Sequence, residues 1–365
     1  MALKSVLILT AGFGEGHNAA SRNLAAALRA RNPDARVEVH DVFNETYGWI
    51  NLRVRDAYLA AINHTPGLWK IVFGLLDHPS LLGNGIGVFG RAARHLDTLI
   101  CEMEPDVIVS TYPGYGHLIE FLRRNGKTHS AKILTLVTDS LTINSAWYRP
   151  PSDLLCVANR ATADVLLKAG VAENRLRVTG FPVAPIFQQP SHRVDGAPWH
   201  VLYMVNSSHH LAPNIVRELI KIPDIALTVT AGHDAKLAAQ IRAISQESGI
   251  PIEVHGWVKN ISELICRSHV LISKAGGATV QEALAACTPM IITQVVPGQE
   301  EGNSQLLIES GSGELAVSPK AIAQAVTRLF ANDGRVYLVR REACLPLSEP
   351  RSSELASACV ESLVP

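Results

Sequence analysis

The chain has 365 residues, past the size at which a single core keeps growing, so its length asks for two domains. With 47% hydrophobic and 18% charged residues it can bury real cores, which excludes a disordered chain, and its formal net charge of zero removes the global field that would draw nucleic acid. Cys101, Cys156, Cys266, Cys287, Cys344 and Cys359 are scattered without a CxxC pair, which excludes a disulfide framework or a zinc ribbon and fits a reducing cytosol.

The elements read as follows in chain order. Val6 to Thr10 is a continuous apolar strand, too short for a leader and followed at once by glycines. A helix runs from His17 to Arg31, and a second strand from Arg36 to His40. Residues 48–103 are mostly helical but irregular. They carry Trp49, Trp69, Phe73 and Phe89 among Arg53, Arg55, Lys70, Arg91 and Arg94. Strands at Asp106 to Ser110, Lys132 to Val137 and Leu154 to Val157 alternate with helices that begin near Gly114 and Arg160. The alternation predicts a parallel sheet with right-handed crossovers. A break follows Gly180-Phe181-Pro182-Val183, and the proline-rich residues 184–199 read as a linker between a first domain, 1–183, and a second, 200–345. The second domain repeats the pattern with strands at 201–205, 226–230, 252–255, 270–273 and 290–293. A final amphipathic stretch, Ser352 to Leu363, is expected to pack back on the first domain.

Two loops carry the chemistry. The run Ser273-Lys274-Ala275-Gly276-Gly277-Ala278-Thr279-Val280-Gln281-Glu282 reads as a strand, a glycine turn and a helix start. Such a helix offers unpaired N–H groups and a positive dipole end, and pyrophosphate is its natural ligand. Glu282, one turn in, either accepts from ribose hydroxyls or is a surface residue. The loop Pro297-Gly298-Gln299-Glu300-Glu301-Gly302-Asn303 follows the next strand. At the other end of the chain, Gly12-Phe13-Gly14-Glu15-Gly16-His17 puts a histidine where a loop meets a helix N-terminus. The dipole there disfavours imidazolium, so His17 is either a neutral base or a locally packed histidine.

Asp139 ends a strand of the same half. It either caps a helix or reaches and assists His17. Asn144 and Trp147 follow in a polar-aromatic loop on the acceptor side. Asp41 matches the position of the ribose acid of nicotinamide sites, although the glycines are not spaced as G-x-G-x-x-G. His209 and His210 lack further ligands for a zinc site.

The blocks 10–17, 137–139, 180–183, Gly256-Trp257-Val258, 273–282 and 297–303 occur in the same order as in monogalactosyldiacylglycerol synthases and bacterial processive diacylglycerol glucosyltransferases, and the chain resembles that family over nearly its whole length. The second half resembles, more distantly, the glycosyltransferase that makes lipid II. The resemblance implies a GT-B fold, two facing Rossmann-like domains with the reaction in the cleft between them. It implies a metal-independent, inverting transfer of a hexose from a UDP-sugar to a lipid, with diacylglycerol the favoured acceptor and a β-glycosyl-diacylglycerol the product. Carried over by position, Gly276, Gly277, Ala278 and Thr279 take the diphosphate and Glu282 the ribose. Gln299 and Glu300 take the sugar, Asn303 of the same block is donor-binding, and the backbone at Trp257 and Val258 meets the uracil. His17 is the base with Asp139 nearby, and Gly14, Gly16, Asn144 and Trp147 lie on the acceptor side.

The chain departs from the family at Asn206-Ser207-Ser208-His209-His210, where a glycine-rich loop is usual, and at Asn144, where the synthases place a histidine. No cofactor or metal is expected, since the chain has no Asp-x-Asp motif. The expected place of action is the cytoplasmic face of a membrane, held peripherally. The alternatives are a UDP-sugar 2-epimerase, a transferase with another acceptor, and a catalytically idle nucleotide-sugar sensor.

Overall fold

The computed structural model describes residues 2–51, 53–54, 89–127, 129–189, 193–206, 209–298 and 300–364. They form two compact units. The first comprises Met1–Ala184, Val296–Gly302 and Arg351–Pro365, and the second Pro185–Val295 and Asn303–Pro350.

The first unit opens with β1 (Ser5–Leu9), every residue of which is buried, and α1 (Glu15–Arg31). Then come β2 (Arg36–His40), α2 (Val42–Tyr47), α3 (Gly90–Met103), β3 (Val107–Ser110), α4 (Pro113–Arg124), β4 (Lys132–Leu136), β5 (Leu154–Val157), α5 (Arg160–Lys168) and β6 (Leu176–Val178). All its strands pair in parallel, in the order β2-β1-β3-β4-β5-β6. Val6 stands opposite Val37 on one side and Val107 on the other, so unbroken apolar strands are covered on both faces. The order reverses between β1 and β3, and ligands of such sheets bind at the carboxyl ends of strands beside that reversal.

The second unit holds β7 (Trp199–Met204), α6 (Ala212–Leu219), β8 (Ile225–Thr230), α7 (Ala235–Ser248), β9 (Ile252–His255) and α8 (Ile261–Arg267). It continues with β10 (Val270–Ser273), α9 (Gly277–Ala285), β11 (Met290–Ile292), α10 (Glu301–Ser310), β12 (Gly313–Leu315) and α11 (Pro319–Cys344). Its parallel sheet has the order β12-β11-β10-β7-β8-β9 and reverses between β7 and β10. α11 breaks at 331–334, where Asn332, Asp333 and Gly334 have left-handed φ. Gly334 also lies against the Trp199 indole, where a Cβ would collide with the ring. The chain ends with α12 (Ser352–Glu361), which packs on α1 and β5 of the first unit. Arg31 grips Glu361 there with two bonds of 2.8 and 2.7 Å, and Ser353 donates to the Val183 carbonyl at 2.7 Å.

Within the linker stretch, residues 185–188 form a 3₁₀ turn, and Arg193 donates to the carbonyls of Ser268, Ala286 and Cys287. Those carbonyls include the C-terminal end of α9, where a cation is favourable. Residues 296–302, written above as part of the second domain, belong to the first unit. Gly302 permits this. A Cβ there would strike the Ser140 carbonyl and stand 2.6 Å from the Thr142 nitrogen. Arg55, Trp69, Lys70 and Phe73, from the irregular segment, lie outside the described residues; Trp49 is 72% exposed.

Candidate functional site

The first unit builds a histidine site at its sheet reversal. After β1 the loop is pinned by Asp41, whose carboxylate accepts from Gly12 N at 2.9 Å and from Asn44 N at 2.9 Å. Asp41 therefore caps α2 and braces the loop, which overturns its reading as a ribose acid. Gly14 is the α1 N-cap in extended conformation, and a Cβ there would meet nothing within 4 Å. Gly16 and His17 lie in the first turn of α1.

His17 Nδ1 lies 2.8 Å from the Thr111 carbonyl, just past β3, and 3.0 Å from Thr138 Oγ1, just past β4. A carbonyl only accepts, so Nδ1 carries the proton and Nε2 keeps a free lone pair. Ser21, one turn on, fastens the same point by bonding Thr111 Oγ1 at 2.8 Å. The ring is buried, between Tyr112 at 5.2 Å and Trp147 at 6.0 Å. Burial pushes its pKa down to about 4, against a smaller upward pull from the Thr111 carbonyl. The imidazole is thus neutral, as the helix-dipole argument expected, but it is desolvation that chiefly holds it so.

Asp139 does not orient His17; among the described residues its side-chain partner is Trp147, whose Nε1 donates to it at 2.7 Å. Burial pushes the Asp139 carboxyl up to about 6, opposed by that N–H. Trp147 is 2% exposed, a buried donor to Asp139 rather than an open wall. Asn144 accepts from Ala146 N at 2.9 Å and so caps the 3₁₀ turn that carries Trp147. Trp147 thus bears on Asp139 directly, and Asn144 bears on the turn that carries it. Glu300, 4% exposed, accepts from Val296 N at 3.0 Å and closes its own loop. Gln299 lies outside the described residues.

The second unit builds an anion site at its own reversal. Gly276 is the N-cap of α9, with no side-chain cap, and the first intrahelical bond runs from Val280 N to the Gly276 carbonyl. Among the described residues the N–H groups of Gly277, Ala278 and Thr279 have no backbone acceptor. A diphosphate satisfies such donors. Asn206, from the end of β7, ties the site together by donating to Ser273 Oγ at 2.9 Å. The departure at 206–210 thus still leaves one residue bracing the turn. Asn303 donates to the Ala275 carbonyl at 3.1 Å, and its Oδ1 is buried without a partner among the described residues. Glu282 is buried, which overturns its reading as a surface residue.

Trp257 is 56% exposed and stacks on His233 at 4.4 Å and 10°, while Val258 is half-buried beside it. His209 bonds Asp234, the α7 cap, at 2.9 Å. Among the described residues no three His, Cys, Asp or Glu side chains are grouped to hold a metal ion.

Sequence reading missed Thr111, Thr138 and Asn206. Each directly follows or closely trails a strand end, but only the folded register brings it to its partner.

Residues 17–183 match the family described as monogalactosyldiacylglycerol (MGDG) synthase, and residues 203–332 match glycosyl transferases group 1. Monogalactosyldiacylglycerol synthase 3 of Arabidopsis thaliana is 26% identical over 96% of this chain and 79% of its own length. Processive diacylglycerol beta-glucosyltransferase of Bacillus subtilis (strain 168) is 25% identical over 93% of this chain and 90% of its own. Among solved structures, the glycosyltransferase of kitacinnamycin superposes with a TM-score of 0.63 at 16% identity, covering 99% of each chain. With its two parallel sheets and these two matching modules, the chain is a glycosyltransferase of GT-B fold, related to the monogalactosyldiacylglycerol synthases and the processive diacylglycerol glucosyltransferase.

Proposed function

We propose that the protein transfers a hexose from a UDP-sugar to the free hydroxyl of diacylglycerol, with inversion, giving a β-glycosyl-diacylglycerol. The observation that carries this reading is the tautomer of His17: Nδ1 is bound to the Thr111 carbonyl, which leaves Nε2 able to take a proton. The acceptor oxygen forms a bond to the anomeric carbon as the bond from that carbon to the diphosphate breaks. The hydroxyl proton goes to Nε2. A base of pKa about 4 is weak, so it takes the proton late, once the oxygen has become acidic through bond formation. The leaving UDP takes up negative charge, which the N–H groups at the start of α9 stabilise without a metal. The relatives named above, matched over most of the chain, act on diacylglycerol by name and favour this acceptor.

Diacylglycerol resides in a bilayer, so the protein works at a membrane surface. None of the described helices is long and apolar enough to cross a membrane. The exposed Trp49 and Phe89, near Arg53, Arg91 and Arg94 in sequence, suit a peripheral seat on an anionic cytoplasmic face. The test is to incubate purified protein with labelled UDP-glucose, UDP-galactose or UDP-GlcNAc and mixed lipid extract. Label in an organic-soluble product that co-migrates with a glycosyl-diacylglycerol supports the reading. Epimerisation of UDP-GlcNAc without lipid labelling replaces it with the epimerase.

A further inference from the structure

Tyr112 is the N-cap of α4, beside the sheet reversal that holds His17. Four rings meet it: Phe13 stacks on it at 5.8 Å and 18°, and Phe43 at 6.0 Å, Tyr115 at 6.2 Å and the His17 imidazole at 5.2 Å meet it edge-on. Phe43 in turn touches Phe89 at 5.7 Å, and Phe89 is 42% exposed. A row of aromatic rings therefore runs from the surface of the first unit to the imidazole.

The polar end of Tyr112 is as distinctive as its ring. Its neighbour Tyr115 uses its hydroxyl fully, donating to the Thr10 carbonyl at 2.6 Å and accepting from Val42 N at 3.0 Å. Among the described residues nothing hydrogen-bonds the Tyr112 hydroxyl, although the residue is half-buried. Burial, with the carboxylates of Asp41 and then Asp139, pushes this phenol up to about 12, so it is a neutral donor at any working pH. A neutral donor without a protein partner, beside a base, at the inner end of an apolar row, suits a ligand that is apolar along its length and carries oxygens at one end.

We propose that Tyr112 positions the acceptor: the aromatic row takes the apolar body of diacylglycerol, and the hydroxyl donates to an ester oxygen next to the reacting hydroxyl. Ester oxygens only accept, which matches a phenol that donates. The proposal rests on the reading that the acceptor is a diacylglycerol deprotonated by His17.

The test compares full-length wild type with Tyr112→Phe, which keeps the ring and deletes the oxygen. Transfer from labelled UDP-glucose and UDP-galactose is measured over a range of diacylglycerol in mixed vesicles, with the donor varied separately and Tm recorded. The expected result is an acceptor KM raised about 3- to 10-fold, the loss of one neutral hydrogen bond, with donor KM and Tm unchanged. An unchanged acceptor KM in an active variant overturns the assignment to Tyr112 alone. So does a parallel fall in kcat and Tm, which marks a tyrosine that only supports the fold. Wild type that labels no diacylglycerol overturns the proposed function, and this inference with it.

Discussion

The loop after β1 and the turn after β10 stand at corresponding places, each at the carboxyl end of a strand where a parallel sheet reverses its order. Their contents differ. The first spends its backbone groups on the protein: Gly12 is bound to Asp41, and the histidine that follows is buried and tied to Thr111. The second leaves a helix start uncapped, with only small residues at Gly276 to Ala278. One architecture thus supplies two opposite electrostatic services. One is a dry, neutral lone pair suited to accepting a proton, and the other a bare row of N–H groups suited to an anion. The difference lies in what covers the strand end, aromatic rings in one case and almost nothing in the other.

The largest expected effect tests that division directly. His17→Ala should cut single-turnover transfer by about 10²- to 10⁴-fold while UDP affinity, measured by calorimetry, stays the same. Weakened UDP binding in this variant would mean that the two services are not separately housed. In the second unit, Glu282→Ala should weaken UDP binding by roughly 1.5–3 kcal/mol, the worth of a charge-assisted hydrogen bond. Unaltered affinity in a folded variant removes Glu282 from the ribose.

The next effect separates Asp139 from His17. The Asp139 carboxyl titrates near 6 and the imidazole near 4, so a rise of kcat/KM with pH through about 6 belongs to Asp139. Asp139→Asn should flatten that limb. Its raised pKa also has a stability sign: folding is favoured most below the ordinary carboxylate range and loses ground as pH rises through 6. The same variant should therefore gain about 1–2 kcal/mol at pH 7.5 and show no such gain at pH 4. A lower Tm at pH 7.5 would show that Asp139 is a structural partner of Trp147 first.

The smallest effect probes the C-terminal helix. Arg31 foremost, then Asn32, holds the Glu361 carboxyl down to about 2. This contribution is present above the ordinary glutamate range and lost as pH falls toward 2. The pair is partly exposed, so Glu361→Gln should cost only about 0.5–1 kcal/mol at pH 7 and less near pH 3, read by thermal melts.

Strand alternation, the glycine turns and the position of the diphosphate helix are legible in the residues because they are local: apolar runs make covered strands, and Gly276-Gly277 makes a helix start wherever it is placed. The three-residue edge strands β6 and β12 escaped that reading, being too short to show a period, as did α11, whose interior carries Asn332-Asp333-Gly334. Among the site residues, His17 and Gly276 to Thr279 stand where the pattern put them. Asn144, Trp147, Asp41 and Glu300 each hold a protein partner that no spacing announced, because a polar side chain beside a glycine loop is as able to brace backbone as to meet a ligand. Sequence alone determined two parallel sheets, their glycine turns and the candidate base. The tertiary structure decided which nitrogen of His17 is free, that Asp139 pairs with Trp147, and that residues 296–302 join the first unit. Those outcomes depend on burial and on partners from eight to more than a hundred residues away, which no periodic pattern encodes.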